Sequence, residues 1–102
     1  MNKNEFYERV CECVRLVPFG RVTTYGEIAK VLSKPLCAGL VKKIVAKEEK
    51  ENVPIHRVVD RRGKLSNKQF CNIAEQKQLL LLEGVEVVNK KVDLEKYGFY
   101  FW

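Results

Sequence analysis

The sequence predicts a mainly α-helical single domain with a small β element, of winged helix-turn-helix-like design. Three observations predict it. The chain has 102 residues, enough for one compact core and too few for two, so residues 1–102 are read as one domain. Hydrophobic residues make up 46% and charged residues 31%, the balance of a soluble globular protein. Apolar residues recur at helical rather than alternating spacing through most of the chain, and two such segments are joined by a three-residue turn.

Each element has its own signal. From Asn4 onward, Phe6, Val10, Cys13, Val14 and Val17 share one helical face, with Glu8, Arg9, Glu12 and Arg15 among the remainder. Pro18-Phe19-Gly20 ends that helix. Thr24 and Glu27 stand three apart, as in a capping box, so Thr24 is the expected N-cap of a short helix over Tyr25 to Leu32. Ser33-Lys34-Pro35 makes a tight turn, and a third helix is expected from Leu36 to about Lys47. Val58 and Val59 read as buried, and Arg61-Arg62-Gly63-Lys64 as a basic turn. A fourth helix is predicted from about Phe70 to Leu82, turning Phe70, Ile73, Ala74, Leu80 and Leu81 inward, with Glu83-Gly84 as its stop. Val85 to Val88 reads as a short strand followed by a turn at Asn89-Lys90. The tail YGFYFW is too apolar to hang free and is expected to pack back on the body.

The third helix carries the first functional signal. At 100° per residue, Cys37, Leu40, Val41, Ile44 and Val45 gather on one side, while Gly39, Lys42, Lys43, Ala46 and Lys47 gather on the other. A short helix, a turn and a second helix with a cationic outer face is the outline of a DNA-binding helix-turn-helix. Lysine-bearing faces also occur on ordinary solvated helices. The tiny residues Gly39 and Ala46 favour the DNA reading, because they let another backbone come close. A net charge of +6 points the same way, towards a polyanion.

Other classes are set aside on composition. No apolar run approaches a membrane span, and the start MNKNEFYERV is unlike a signal peptide. No membrane partner is expected, and the expected location is cytoplasmic, with the nucleoid if the source is bacterial or archaeal. Cys11, Cys13, Cys37 and Cys71 read as reduced, mostly buried thiols. Cys11-x-Cys13 is too short for the usual zinc spacing and His56 is the sole histidine, so no metal and no cofactor are expected.

The order VPFGRVTTYGEIAKVL, a basic helix, VPIHRVV and LLLLEGVEV resembles the DNA-binding domain of the O6-alkylguanine-DNA alkyltransferases. The likeness covers about Val10 to Val87, and VDLEKYG is similar to the shorter alkyltransferase-like proteins, which lack the acceptor cysteine. The resemblance implies several roles. The acceptor cysteine corresponds to Ile55. His56 corresponds to the histidine that helps form the thiolate, and Glu83 to the carboxylate that hydrogen-bonds it. With base and orienter kept and sulfur absent, alkyl transfer is not expected, and the protein is read as no enzyme. The resemblance further implies that Tyr25 presses on a phosphate while the target nucleotide is rotated out of double-stranded DNA. It places the third helix in the minor groove, with Gly39, Lys42, Lys43, Lys47 and Arg57 as DNA contacts. Pro54, Ile55 and Ser66 would line the pocket for an O6-alkylated guanine.

The chain also departs from that pattern. The arginine that fills the gap left by the flipped base corresponds to Gly39, the loop before Pro54 is about one residue shorter, and KLSNKQF lacks the glycine- and tyrosine-containing pocket loop. A lysine of the family falls on Gln76. The expected function is therefore a monomeric, non-enzymatic DNA-binding protein that recognises O6-alkylguanine and flags it to other repair proteins. The alternatives are a diverged domain with weak nonspecific DNA binding or a protein-interaction role, and transfer to a relocated thiol such as Cys37 or Cys71.

Overall fold

The computed structural model describes residues 2–47, 52–65 and 73–101. Helix α1 spans Lys3–Leu16 and starts on Asn2, whose side chain accepts a hydrogen bond from the Glu5 amide. It buries Phe6, Val10, Cys13 and Val14, as its periodicity predicts, and Cys11 besides. The chain then turns at Pro18 to Gly20 and forms a two-residue strand β1, Thr23–Thr24. Helix α2, Tyr25–Val31, follows at once, capped by Thr24, whose Oγ1 accepts from the Glu27 amide at 3.1 Å.

The stop between α2 and the next helix is built by the backbone. Ser33 takes a left-handed conformation (φ 61°), its amide bonds Lys30 O, and the Lys34 amide bonds Ala29 O at 2.9 Å. This is the paired hydrogen-bond pattern that satisfies the last carbonyls of a helix. Pro35–Cys37 is a 3₁₀ turn leading into α3, Ala38–Lys47, so the α-helix proper begins two residues later than expected from Leu36. Proline at the head of that turn, without an amide proton, fits only where none is needed. Helices α1, α2 and α3 pack against one another around the larger core cluster, with Ile28, Ala29, Val41 and Val45 at 0–1% exposure.

The small β element is a parallel pair, β1 with β2, Val58–Val59, in the register Thr23 to Val58 and Thr24 to Val59. The expected strand at Val85 to Val88 is a correction: those residues are extended without a ladder, and only Val88 bridges Lys91. Val88 and Lys91 exchange both backbone hydrogen bonds around Asn89 and Lys90, which have φ of 52° and 61°, so the expected turn is there. Lys91 also bridges Lys64, and the Val92 amide bonds Gly63 O at 2.8 Å. These contacts tie the basic turn at Asp60 to Lys64 to the Val88–Val92 hairpin and form the wing. Gly63 has φ 83° and its α-carbon faces the Val92 carbonyl so closely that a β-carbon would collide with it.

Helix α4 is described over Ile73–Leu82; Phe70, where the sequence places its start, lies outside the described residues. It buries Leu80 and Gln76, whereas Ala74 and Leu81, expected inward, are exposed. A short α5, Leu94–Tyr97, is capped by Asp93 and was not anticipated. Beyond it the tail returns to the body as expected. Val22 and Gly98 form a parallel bridge, the Phe99 amide bonds Val22 O at 2.7 Å, and Phe101 packs on the larger core cluster. Among the described residues, no helix is long and apolar enough to cross a membrane.

Candidate nucleic-acid interface

Two turns in succession fix the loop that carries Ile55. Pro54 (φ −78°, ψ 70°) sits at the centre of a three-residue turn in which the Ile55 amide bonds Val53 O at 2.8 Å. Residues Ile55–Arg57 then form a 3₁₀ turn, with the Arg57 amide on Pro54 O at 3.0 Å. Pro54 and Ile55 are half-buried, and Ile55 packs against the larger core cluster. Ser66, the third expected pocket residue, lies outside the described residues.

Helix α4 and the residue just after it hold this loop from one side with two side chains about two turns apart. Gln76 is fully buried, and its Nε2 donates to His56 O at 3.2 Å and to Val58 O at 3.0 Å. About two turns later, just past the end of α4, Glu83 gathers three donors. His56 Nε2 is 2.6 Å from Oε2; an ionised carboxylate only accepts, so Nε2 carries the proton of that bond. Arg57 donates through Nε at 3.0 Å and Nη2 at 2.9 Å, and the Gly20 amide donates to Oε1 at 2.8 Å. Burial pushes the Glu83 pKa up, but the bonds from Arg57, Gly20 and His56 outweigh it and hold the carboxyl below its ordinary value.

The same bonds engage Arg57, one of the expected DNA contacts, inside the protein. Its guanidinium grips Glu83, donates through Nη1 to Val17 O at 2.8 Å and lies 5.8 Å from the Phe19 ring centroid. It therefore staples the end of α1 to α4 and the Ile55 turn. The sequence offered no way to separate the two roles, since both call for a planar cation. Tyr25, the expected phosphate contact, is 4% exposed and belongs to the larger core cluster.

Most of the outer face of α3 is exposed as the periodicity predicts, although Ala46 is half-buried and Leu40, expected inward, is 47% exposed. Gly39, Lys42, Lys43 and Lys47 are exposed, and none of the three lysines makes a salt bridge among the described residues. A β-carbon added at Gly39 would meet nothing within 4 Å, so this face stands open. No group of three or more potential metal ligands occurs among the described residues. Of the thiols, Cys11 and Cys13 are buried and Cys37 half-buried. Burial, then the neighbouring Glu12, raise the Cys13 pKa and disfavour its thiolate, with Arg9 opposing.

Comparison with known proteins converges on one family. Residues 5–85 match the model of the 6-O-methylguanine DNA methyltransferase DNA-binding domain. The chain is 35% identical to alkyltransferase-like protein 1 of Schizosaccharomyces pombe, covering 100% of this chain and 98% of that protein. It is 37% identical to the DNA base-flipping protein of Escherichia coli, over 97% of this chain and 78% of that protein. The fold superposes on the S. pombe alkyltransferase-like protein, solved in complex with damaged DNA containing O6-carboxymethylguanine, with a TM-score of 0.88 at 35% identity, covering 97% of this chain and 98% of that one. With its turns, its wing and its α4 clamp in that arrangement, the chain belongs to the family of the 6-O-methylguanine DNA methyltransferase DNA-binding domain.

Proposed function

We propose that this protein binds double-stranded DNA, everts an O6-alkylated guanine into the pocket at Pro54 and Ile55, and holds it without reacting. One observation carries the reading: His56 and Glu83 are paired at 2.6 Å beside a residue, Ile55, that has no nucleophilic atom. A base and its orienting carboxylate activate a nucleophile only where one is present. An isoleucine instead supplies apolar surface, and each methylene of an alkyl group buried there adds roughly 0.8 kcal/mol. The relatives named as a base-flipping protein and as an alkyltransferase-like protein support the same reading.

The open face of α3, with Lys42, Lys43 and Lys47, is assigned to the phosphates and the groove, and Tyr25 touches a phosphate through the little surface it exposes. Lesion recognition without chemistry calls for a second protein to complete repair, and we assign that role to partners recruited wherever intracellular DNA lies.

The test is a paired titration of matched duplexes, one carrying a single O6-methylguanine. Tighter binding of the lesion duplex is expected, with no change in intact-protein mass. Equal affinities that collapse alike with added salt would leave only nonspecific phosphate binding. A mass gain of about 14 Da, one CH₂, would reveal transfer to a thiol such as Cys37 or Cys71 and overturn the non-enzymatic reading.

A further inference from the structure

Leu36 stands apart from every other apolar residue described. It is 98% exposed, whereas no other large hydrophobic side chain among the described residues exceeds 71%. It gains nothing from folding, yet it sits at a defined place. The turn Pro35–Cys37 runs into α3 without a break, because Ala38 already has helical angles (φ −57°, ψ −37°). Steps of three and seven residues from Leu36 reach Gly39 and Lys43, so all three share the leading part of the open cationic face. Gly39 offers no side chain there, and nothing else fills the space around it.

Rotating a nucleotide out of a duplex leaves a gap between its neighbours, and the cost of unstacking falls when an apolar side chain enters that gap. Leucine is among the residues that wedge between base steps from the minor groove. We propose that Leu36 is the wedge of this protein: it enters the stack beside the everted nucleotide, while Lys43 and Lys42 hold the flanking phosphates and Gly39 lets the backbone approach. The inference rests on the lesion-binding reading above, and assigns to a leucine at the head of the helix the gap-filling that no side chain at position 39 can perform.

Because Leu36 is solvated in the free protein, its variants are expected to fold and melt as the wild type does. Leu36→Ala should weaken binding to the O6-methylguanine duplex roughly tenfold, the value of withdrawing one leucine side chain from a buried site. It should leave affinity for the unmodified duplex unchanged, since no gap opens there. Leu36→Met, a volume-conserving apolar swap, should retain lesion binding. Unchanged lesion affinity in Leu36→Ala would overturn the proposal, and so would an equal loss on both duplexes, which would make Leu36 a general groove contact. Wild-type protein that does not distinguish the duplexes would sink the lesion reading and the wedge together; a wild-type preference that survives Leu36→Ala sinks the wedge alone.

Discussion

Glu83 shows how much one side chain does in this fold. Its carboxylate, 6% exposed, joins the turn after α1, the Ile55 loop and the end of α4 through Gly20, Arg57 and His56. Removing one partner from such a buried pair leaves the other uncompensated, so Glu83→Gln should cost about 3 kcal/mol at neutral pH. The pH dependence follows from the lowered pKa. A carboxyl ionised more readily when folded contributes stability above its ordinary value of 4.5, and that contribution is lost as pH falls through the depressed folded value. Urea unfolding of both proteins should show a gap that is full at neutral pH and narrows progressively below 4.5. A gap that stays constant into acid would mean that shape, not charge, makes Glu83 matter. At this scale the sequence was half legible. The pairing of His56 with Glu83 followed from the family resemblance, but the commitment of Arg57 to the same carboxylate did not. Nor did the burial of Gln76: a glutamine between Glu75 and Lys77 looks like the polar face of a helix until its two carbonyl partners are in view.

At the scale of elements, capping chemistry was the reliable guide. Thr24 caps α2 and Gly84 (φ 82°) ends α4, both as read from single residues whose conformational preferences are strong. What failed was the short extended segments. Two-residue strands such as Thr23–Thr24 and Val58–Val59 are too brief to show alternation, whereas the valine-rich Val85 to Val88 looked strand-like and pairs only at its end. The α3 face was legible in its exposed lysines, Lys42, Lys43 and Lys47, but of the residues expected inward only Val41 and Val45 are buried and Leu40 is 47% exposed, and the first turn, Pro35–Cys37, is 3₁₀. That face carries a prediction of its own. If Lys42 and Lys43 each meet a phosphate, the Lys42→Ala, Lys43→Ala double variant releases two fewer counterions. The slope of log K against log salt on unmodified duplex should then become shallower by about 1.8 units, roughly 0.9 per contact. An unchanged slope would show that the lysines are solvated and that α3 does not face DNA.

For the whole molecule, the decisive feature is that the segment just before α2 is held on both sides. Thr23 and Thr24 pair with Val58 and Val59, which follow directly from the Ile55 turn, while Val22 next to them bonds Tyr97 O and the Phe99 amide. The start of the helix-turn-helix is thereby fixed relative to the candidate pocket on one side and to the C-terminal tail on the other. Arg21 adds a bond from Nη1 to Lys96 O at 3.1 Å, and Phe99 and Phe101 meet edge to face with centroids 5.2 Å apart. The tail is thus a third, parallel partner for the strand segment, which its aromatic composition hinted at without saying where it would dock. Ending the chain after Gly98 removes the Phe99 hydrogen bond, the Phe101 contact with the core and the aromatic pair. One hydrogen bond at about 1 kcal/mol and the burial of two partly covered rings together predict a loss of roughly 3 kcal/mol. For a domain of this size that is a fall in melting temperature of roughly 12 to 20 °C. Binding should suffer less than stability: below the new melting temperature the shortened protein keeps α2, α3 and the Ile55 turn, so its preference for the lesion duplex over the unmodified one should persist. Loss of that preference in a still-folded protein would mean that the tail does more than brace β1 and takes part in holding the nucleotide itself.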